Sequence, residues 1–496
     1  MKPDGGNSMK QERKKVRKTG KMKKLEIRRL NEALLEFIRK SPCSFQAAET
    51  LRQQLLEAGF TELYEGENWN IQSGDYFVMR NYSAIIAFSI PNFENRRGSQ
   101  PDKLENPGKI IEKTSANNIA ANRANSAATA AEYTADGVSL QELIQNGFRI
   151  SASHSDSPCF KIKENPEMSV EGRYVKLNVE KYGGMLCAPW FDRPLSAAGR
   201  VFVRDDGGIR EILIDIPQDM LLIPNVAIHM NRQVNEGYAY NPQVDMLPLF
   251  ALGDADGRFM ELIAKAAGVK KKDILGHDLY LYNRAPGSVW GMENEFISAP
   301  RLDDLQCAFS TMQGFLSGSR KQHISICGVF DNEEVGSSTR QGAGSTFLYD
   351  VLQRIREGLG LSYEEYLVLL QNSFMVSADN AHAVHPNHGA LTDPTNRPYI
   401  GGGIVIKYNA QQKYCTDGYS AAFFKSLCED AGVPYQSFTN RSDMLGGSTL
   451  GNISTTKVAV RSVDVGLPQL AMHSPYETAG TADTAYLVRV MRDFYE

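Results

Sequence analysis

The chain has 496 residues, 42% of them hydrophobic and 23% charged, with a formal net charge of -4, the balance of a soluble globular protein too long for one ordinary domain. No stretch approaches the ~20 consecutive apolar residues that cross a bilayer, and the seven cysteines are scattered without a CxxC pair, which excludes a membrane span, a disulfide framework and a thiolate metal site. No apolar signal-peptide core follows the N-terminal charges, so a cytoplasmic protein is expected.

Residues 1–23 form a basic arm: from Met1 to Leu30 there are twelve Lys/Arg against three Asp/Glu, and the rest of the chain is acidic. No aromatic residue is interleaved with these charges, so a solvated, disordered arm is expected and nucleic-acid binding is not. From about Lys24 to Gly59, apolar residues recur at helical spacing (Leu34, Leu35, Ile38, Ala47, Leu51, Leu55). Residues 76–78 and 84–88 predict a strand pair turning through Asn81-Tyr82. Residues 91–147 change in composition: Pro, Asn, Arg and Gly come first, then an Ala/Asn-rich tract with room for a short helix near 127–133. Such a stretch has little to give a core and reads as an inserted excursion.

Residues 148–153 restore strand character. From 158 to 284 short alternating runs separated by Gly, Pro and Asp predict a mainly β domain inserted into a catalytic domain formed by 24–157 and 285–496. Ile324 to Phe330 is an apolar run of the length expected of a buried parallel strand. Ser345 is placed to cap a helix with Phe347, Leu348, Val351, Leu352 and Ile355 on its apolar face and Gly358 at its end. Residues 374–377, 403–406 and 458–460 are later strands. The alternation predicts an α/β fold with a mixed, mostly parallel sheet flanked by helices.

The chemistry gathers where polar residues directly follow apolar strand-like runs: His154 and Asp156, Asp303, Glu333 and Glu334, Asp379, and His473. Open α/β sheets place their sites at the carboxyl ends of strands. A lone Glu-Glu pair is most often a solvated acidic turn, and burying both carboxylates requires a nearby positive charge. Two imidazoles with several carboxylates at one edge of one sheet match a nitrogen- and oxygen-coordinated zinc site. One shared carboxylate would let the set hold two ions about 3.5–4 Å apart, the arrangement of two-metal hydrolases.

The chain resembles the aspartyl aminopeptidase family of di-zinc exopeptidases. The resemblance rests on His154-Ser155-Asp156-Ser157-Pro158, Pro300-Arg301-Leu302-Asp303, Asp331-Asn332-Glu333-Glu334-Val335-Gly336-Ser337, Ser377-Ala378-Asp379, Ala381-His382-Ala383-Val384-His385-Pro386-Asn387 and Gln469-Leu470-Ala471-Met472-His473-Ser474. It implies two Zn2+ per subunit, replaceable by Co2+ or Mn2+. Asp303 would bridge them, His154 and Asp379 would complete one site, and Glu334 and His473 the other. Glu333 would be the general base for a metal-activated water, and Asp156 would orient His154. It further implies that Lys407 faces an acidic substrate side chain, that Tyr414 and His382 line the substrate site, and that His229 reaches into a neighbouring subunit's site. Peptide substrates are expected, along with homo-oligomers in which dimers build a dodecamer.

Each assignment has a plainer reading. Lys407 is otherwise an edge-strand lysine, and His382, His385 and His388, interrupted by Pro386, are loop and supporting groups. Asp304 reads as a helix N-terminal charge. The 91–147 excursion is longer than the family's usual connection, and the glycine motifs at 182–187 and 446–452 differ from the family's, which bears on substrate preference. Rival functions are a di-zinc aminopeptidase of broader or Leu-type preference, a carboxypeptidase or deacylase with the same metals, and an assembly protein with a vestigial site.

Overall fold

The computed structural model describes residues 22–94 and 138–496. The basic arm up to residue 21 and the helix expected near 127–133 lie outside the described residues.

The predicted helical stretch after Lys24 is two helices, Lys24–Lys40 and Ser44–Glu57, which pack Leu34, Phe37, Leu51 and Leu55 into the core. The nine strands of the main sheet are β1 (Thr61–Leu63), β2 (Gly74–Arg80), β3 (Ala84–Ile90), β4 (Phe148–His154), β5 (Ile324–Phe330), β6 (Phe374–Ala378), β7 (Ile404–Lys407), β8 (Tyr435–Phe438) and β9 (Arg461–Gly466). Their spatial order is β1-β2-β3-β5-β4-β6-β9-β7-β8. The four central strands β5, β4, β6 and β9 run parallel, while β3 and β7 run against their central neighbours. The sheet is therefore mixed and mostly parallel, as the alternation of elements predicts. Asn81 and Tyr82 make the expected turn between β2 and β3, both with left-handed φ (56° and 52°).

Period-two alternation distributes the sheet's side chains between two cores. On β3, Ile85 and Ala87 face a core built with the helices Leu302–Ser317 and Thr481–Phe494. Ile86 and Phe88 face the other, built with the helices Phe347–Gly358 and Tyr363–Gln371. Because both faces are covered, β3 and β5 are mainly apolar runs, which is why they are legible in the sequence, whereas β4 and β9 also bury polar residues such as Ser151, Ser153 and Asp464.

Several boundaries differ from expectation. The strand placed at 458–460 starts at Arg461, where pairing with Phe374 begins, while Val458 and Val460 pack into the core just before it. Thr346, not Ser345, occupies the cap position of the helix Phe347–Gly358, although the Ser345 hydroxyl still accepts the Phe347 N–H at 3.1 Å. The end of the 91–147 stretch does join the core: a capping box at Ser139 and Glu142 starts the helix Leu140–Asn146, whose Leu143 and Ile144 are buried.

Among the described residues there are three further sheets, the smallest a parallel pair of Phe93–Glu94 with Val138–Ser139. Six antiparallel strands between Cys159 and Asn283, with their own core around Phe160, Trp190, Val201 and Leu279, form the second layered unit. A five-stranded sheet of Ser288–Trp290, Phe296–Ala299, Glu477–Gly480, Pro468–Leu470 and Ala381–His382 lies beside the strand ends.

Candidate metal centre

Parallel pairing brings the carboxyl ends of β4, β5 and β6 to one edge, with His154 opposite Phe330 in register. His154 ends β4, Glu333 and Glu334 occupy the one-turn helix after β5, and Asp379 follows β6. Asp303 and His473 arrive differently from the expectation of a single sheet edge. Asp303 stands after Phe296–Ala299, and His473 sits in the turn between Pro468–Leu470 and Glu477–Gly480, so both come from the five-stranded sheet. The site is assembled where the two sheets meet.

Asp303 is the centre of the arrangement. Its Oδ1 lies 3.6 Å from His154 Nε2, which is 3.8 Å from Asp379 Oδ1. Its Oδ2 lies 3.4 Å from His473 Nε2, which is also 3.4 Å from Glu334 Oε2. Three donor groups are compact enough to hold an ion: His154 with Asp303, Asp304 and Asp379; His154 with Glu333 and Glu334; and Asp303 with Glu334 and His473. These separations exceed the 2.7–3.2 Å of ordinary hydrogen bonds. They match ligand atoms standing around a common cation with bonds of about 2.0–2.2 Å.

Electrostatics favour the same occupant. Burial, reinforced by Asp303, Asp156 and Glu333, pushes the Glu334 carboxyl well above its usual range. Burial pushes Glu333 up to about 8, with Asp379, Asp156 and Asp303 adding to the effect and His154 opposing it. Asp379 goes the other way: burial disfavours its charge, but Lys407 and His154 hold it down at about 2. The buried atoms Asp303 Oδ1 and Glu334 Oε1 have no hydrogen-bond partner among the described residues. Orphaned carboxylate oxygens among imidazoles fit a divalent cation of the zinc type, which prefers this N/O donor set.

Asp156 stands beside His154 as an orienting group would: His154 Nδ1 hydrogen-bonds the Asp156 backbone carbonyl at 3.1 Å, with the carboxylate Oδ1 at 3.3 Å. It also accepts the backbone N–H groups of Glu333 and Glu334, each at 3.1 Å, and the Tyr182 hydroxyl at 2.7 Å. One residue thus holds the imidazole, through its backbone carbonyl and the nearby carboxylate, and the Glu-Glu turn, through the carboxylate. Tyr182, at the end of a strand of the six-stranded sheet, also accepts from Asn332 Nδ2 at 2.8 Å, linking that sheet to the site.

Lys407 is no edge-strand lysine. Its strand β7 lies between β9 and β8, the residue is 2% exposed, and Nζ is 3.3 Å from Asp379 Oδ2 and 5.6 Å from the Tyr414 ring centre. Tyr414 is buried with Val405 and Phe438, and the exposed His382 has its ring 6.0 Å from that of Phe438, so these residues flank one side of the cluster. His385 and His388 stand exposed with rings 5.0 Å apart, outside the three donor groups. His229 lies on an exposed segment of the six-stranded unit, and this chain alone does not bring it to the cluster.

Three participants escaped sequence reasoning. Asp304 stands in the first turn of the helix Leu302–Ser317, as expected, but it is also fully buried, accepts the His154 N–H at 3.1 Å and belongs to a donor group. Glu477 accepts the N–H groups of Asp303 (2.9 Å) and His473 (2.7 Å). Tyr182 is the third.

The family profile described as aminopeptidase I zinc metalloprotease (M18) matches residues 37–100 and 131–495. The chain belongs to the M18 aminopeptidase family. It is therefore a metallo-aminopeptidase of a zinc family, and the N/O donor cluster accords with that metal. The chain is 41% identical over 469 residues to a probable M18 family aminopeptidase 2 of Clostridium acetobutylicum, covering 93% of this chain and 97% of that one. The relative of the same name in Clostridium novyi is also 41% identical, over 479 residues and 95% and 99% of the two chains. Among solved structures, the Ape4 and Nbr1 complex aligns with a TM-score of 0.81 at 31% identity, over 95% and 86% of the chains. An M18 aminopeptidase from Thermotoga maritima shares the fold, with a TM-score of 0.76 at 21% identity over 96% and 97%. Residues 101–130 fall outside the M18 match, within the stretch whose composition departs from the rest. No helix among the described residues is long and apolar enough to cross a membrane.

Proposed function

We propose that this M18 chain removes N-terminal residues from peptides, preferring Asp and Glu, with two zinc ions bridged by Asp303. The observation that carries this reading is the division of Asp303, one oxygen toward His154 and Asp379 and the other toward His473 and Glu334. Bound there, the ions would supply Lewis-acid polarisation of the scissile carbonyl and an acidified water. Glu333 serves as the base: its backbone is anchored on Asp156, and cations held beside it would keep its carboxyl ionised, able to take a proton and return it to the leaving amine. The carboxylates at the rim receive the substrate's α-ammonium group, which restricts cleavage to free N-termini.

Lys407 provides the positive charge for an acidic P1 side chain, beside Tyr414 and His382. The unit formed by residues 158–284 mediates dimerisation and carries His229 into a neighbouring site. In support, Val226, Ile228 and Met230 around His229 are exposed, and a Saccharomyces aminopeptidase with the same fold (TM-score 0.74, 22% identity) is described as a dodecamer. The seven cysteines are all unpaired, in keeping with a reducing, cytoplasmic setting.

The Lys407–Asp379 pair favours a second reading, in which the lysine is only a counter-ion and the preference is broader. Anilides of Asp, Glu and Leu, each with free and acylated amino groups, separate these cases. Free-amine substrates are expected to be cleaved and acylated ones not; equal cleavage of both would refute the aminopeptidase assignment. Lys407→Met will slow every substrate by releasing Asp379, but it should cost Asp over Leu a further ~10–100-fold in kcat/KM, the worth of one charge-assisted contact. An unchanged Asp/Leu ratio would leave Lys407 as a counter-ion alone.

A further inference from the structure

Glu477 lies outside all three donor groups, yet it touches the backbone of two residues within them. It opens the strand Glu477–Gly480 opposite Ala299, four residues before Asp303, and is 1% exposed. Its Oε2 accepts the Asp303 N–H at 2.9 Å and its Oε1 accepts the His473 N–H at 2.7 Å. Each of those residues is also held through its carbonyl. The Asp303 carbonyl accepts the Ser157 hydroxyl at 2.6 Å, and the His473 carbonyl accepts the Leu186 N–H at 3.1 Å.

The need for such restraint is visible in the backbone. His473 has φ +67° and Ala471 φ +56°, conformations that side-chain-bearing residues adopt only when their surroundings impose them. Asp303 has φ -81° and ψ 107°, non-helical although it stands at the start of the helix Leu302–Ser317. Nothing in the local sequence favours either geometry. A single carboxylate with two acceptors can hold both N–H groups at once, and replacement by an amide leaves one acceptor and one donor.

Resting on the two-metal reading above, we propose that Glu477 is a positioning residue that sets the separation of Asp303 and His473 and thereby the metal affinity of the half-site they share with Glu334. Its two oxygens are committed to backbone N–H groups, so it acts through those residues. The half-site of His154 and Asp379 depends on it only through Asp303. Loss of Glu477 therefore weakens one ion more than the other, unlike general destabilisation, which would affect both alike.

The test is a zinc competition titration against a chromophoric chelator on purified full-length wild type, Glu477→Gln and Glu477→Ala, with circular dichroism to confirm folding. Wild type is expected to bind two ions; if it binds none, the metal reading itself fails. Neighbours that orient metal ligands are typically worth about 10–100-fold in affinity, so Glu477→Ala should weaken one ion by that factor and the other less, with Glu477→Gln between. Excess zinc should restore much of the lost turnover, with kcat recovering as the weaker site fills. Two ions bound with wild-type affinity by a folded Glu477→Gln or Glu477→Ala protein would overturn the proposal, as would activity loss that excess zinc does not relieve. Should Glu477→Ala fail to fold, the Gln variant alone decides between these results.

Discussion

Glu333→Gln is expected to reduce kcat by about 10^2–10^4-fold, the usual contribution of a positioned general base, with little change in KM and with both metal ions retained. The substitution preserves size and the backbone N–H to Asp156, so the Glu-Glu turn should stay in place. What disappears is the ability to accept a proton. Metal content is the informative second readout, because Glu333 also lies within one donor group with His154 and Glu334. If the variant loses metal together with activity, Glu333 is a ligand; if turnover persists at the wild-type rate, it is neither ligand nor base.

Asp303→Asn should have a larger effect still, abolishing measurable turnover and reducing bound metal to less than one ion per chain. Asn presents one oxygen and one amide donor where the structure places two carboxylate oxygens facing two imidazoles. Because replacing a group that merely orients a ligand costs about 10–100-fold in metal affinity, loss of a shared ligand should exceed that at both positions. A second consequence concerns stability. Ions that bind only the folded protein stabilise it by mass action, so chelation should lower the melting temperature of the wild type and leave that of Asp303→Asn unchanged. Equal chelator sensitivity in the two proteins would show that Asp303 is not shared between the ions.

The parts of the site legible in the sequence are those delivered by strand ends. Buried parallel strands such as Ile324–Phe330 are predominantly apolar runs, so the charged residues after them stand out, and parallel pairing then collects them at one edge. That logic located His154, Glu333, Glu334 and Asp379. It misjudged Asp303 and His473 as belonging to the same sheet, because a crossover into the small five-stranded sheet leaves no periodic mark. The supporting groups were hidden for a different reason. Asp304, Glu477 and Tyr182 act through hydrogen bonds to backbone N–H groups or to side chains far away in the chain, such as Glu477 to Asp303 across 174 positions. Every residue other than proline offers a backbone N–H, so such partners have no sequence signature. Lys407 could be read as an edge lysine because strand order, which decides its burial, is a property of the whole sheet.

Elemental analysis of the purified full-length protein, paired with anilide turnover before and after exhaustive chelation and zinc readdition, tests the arrangement around Asp303 most directly. Two zinc ions per chain, activity lost with them and regained on their return, is the expected result. A chain that holds no metal at those side chains, or one that cleaves free-amine substrates equally well once stripped, would contradict it.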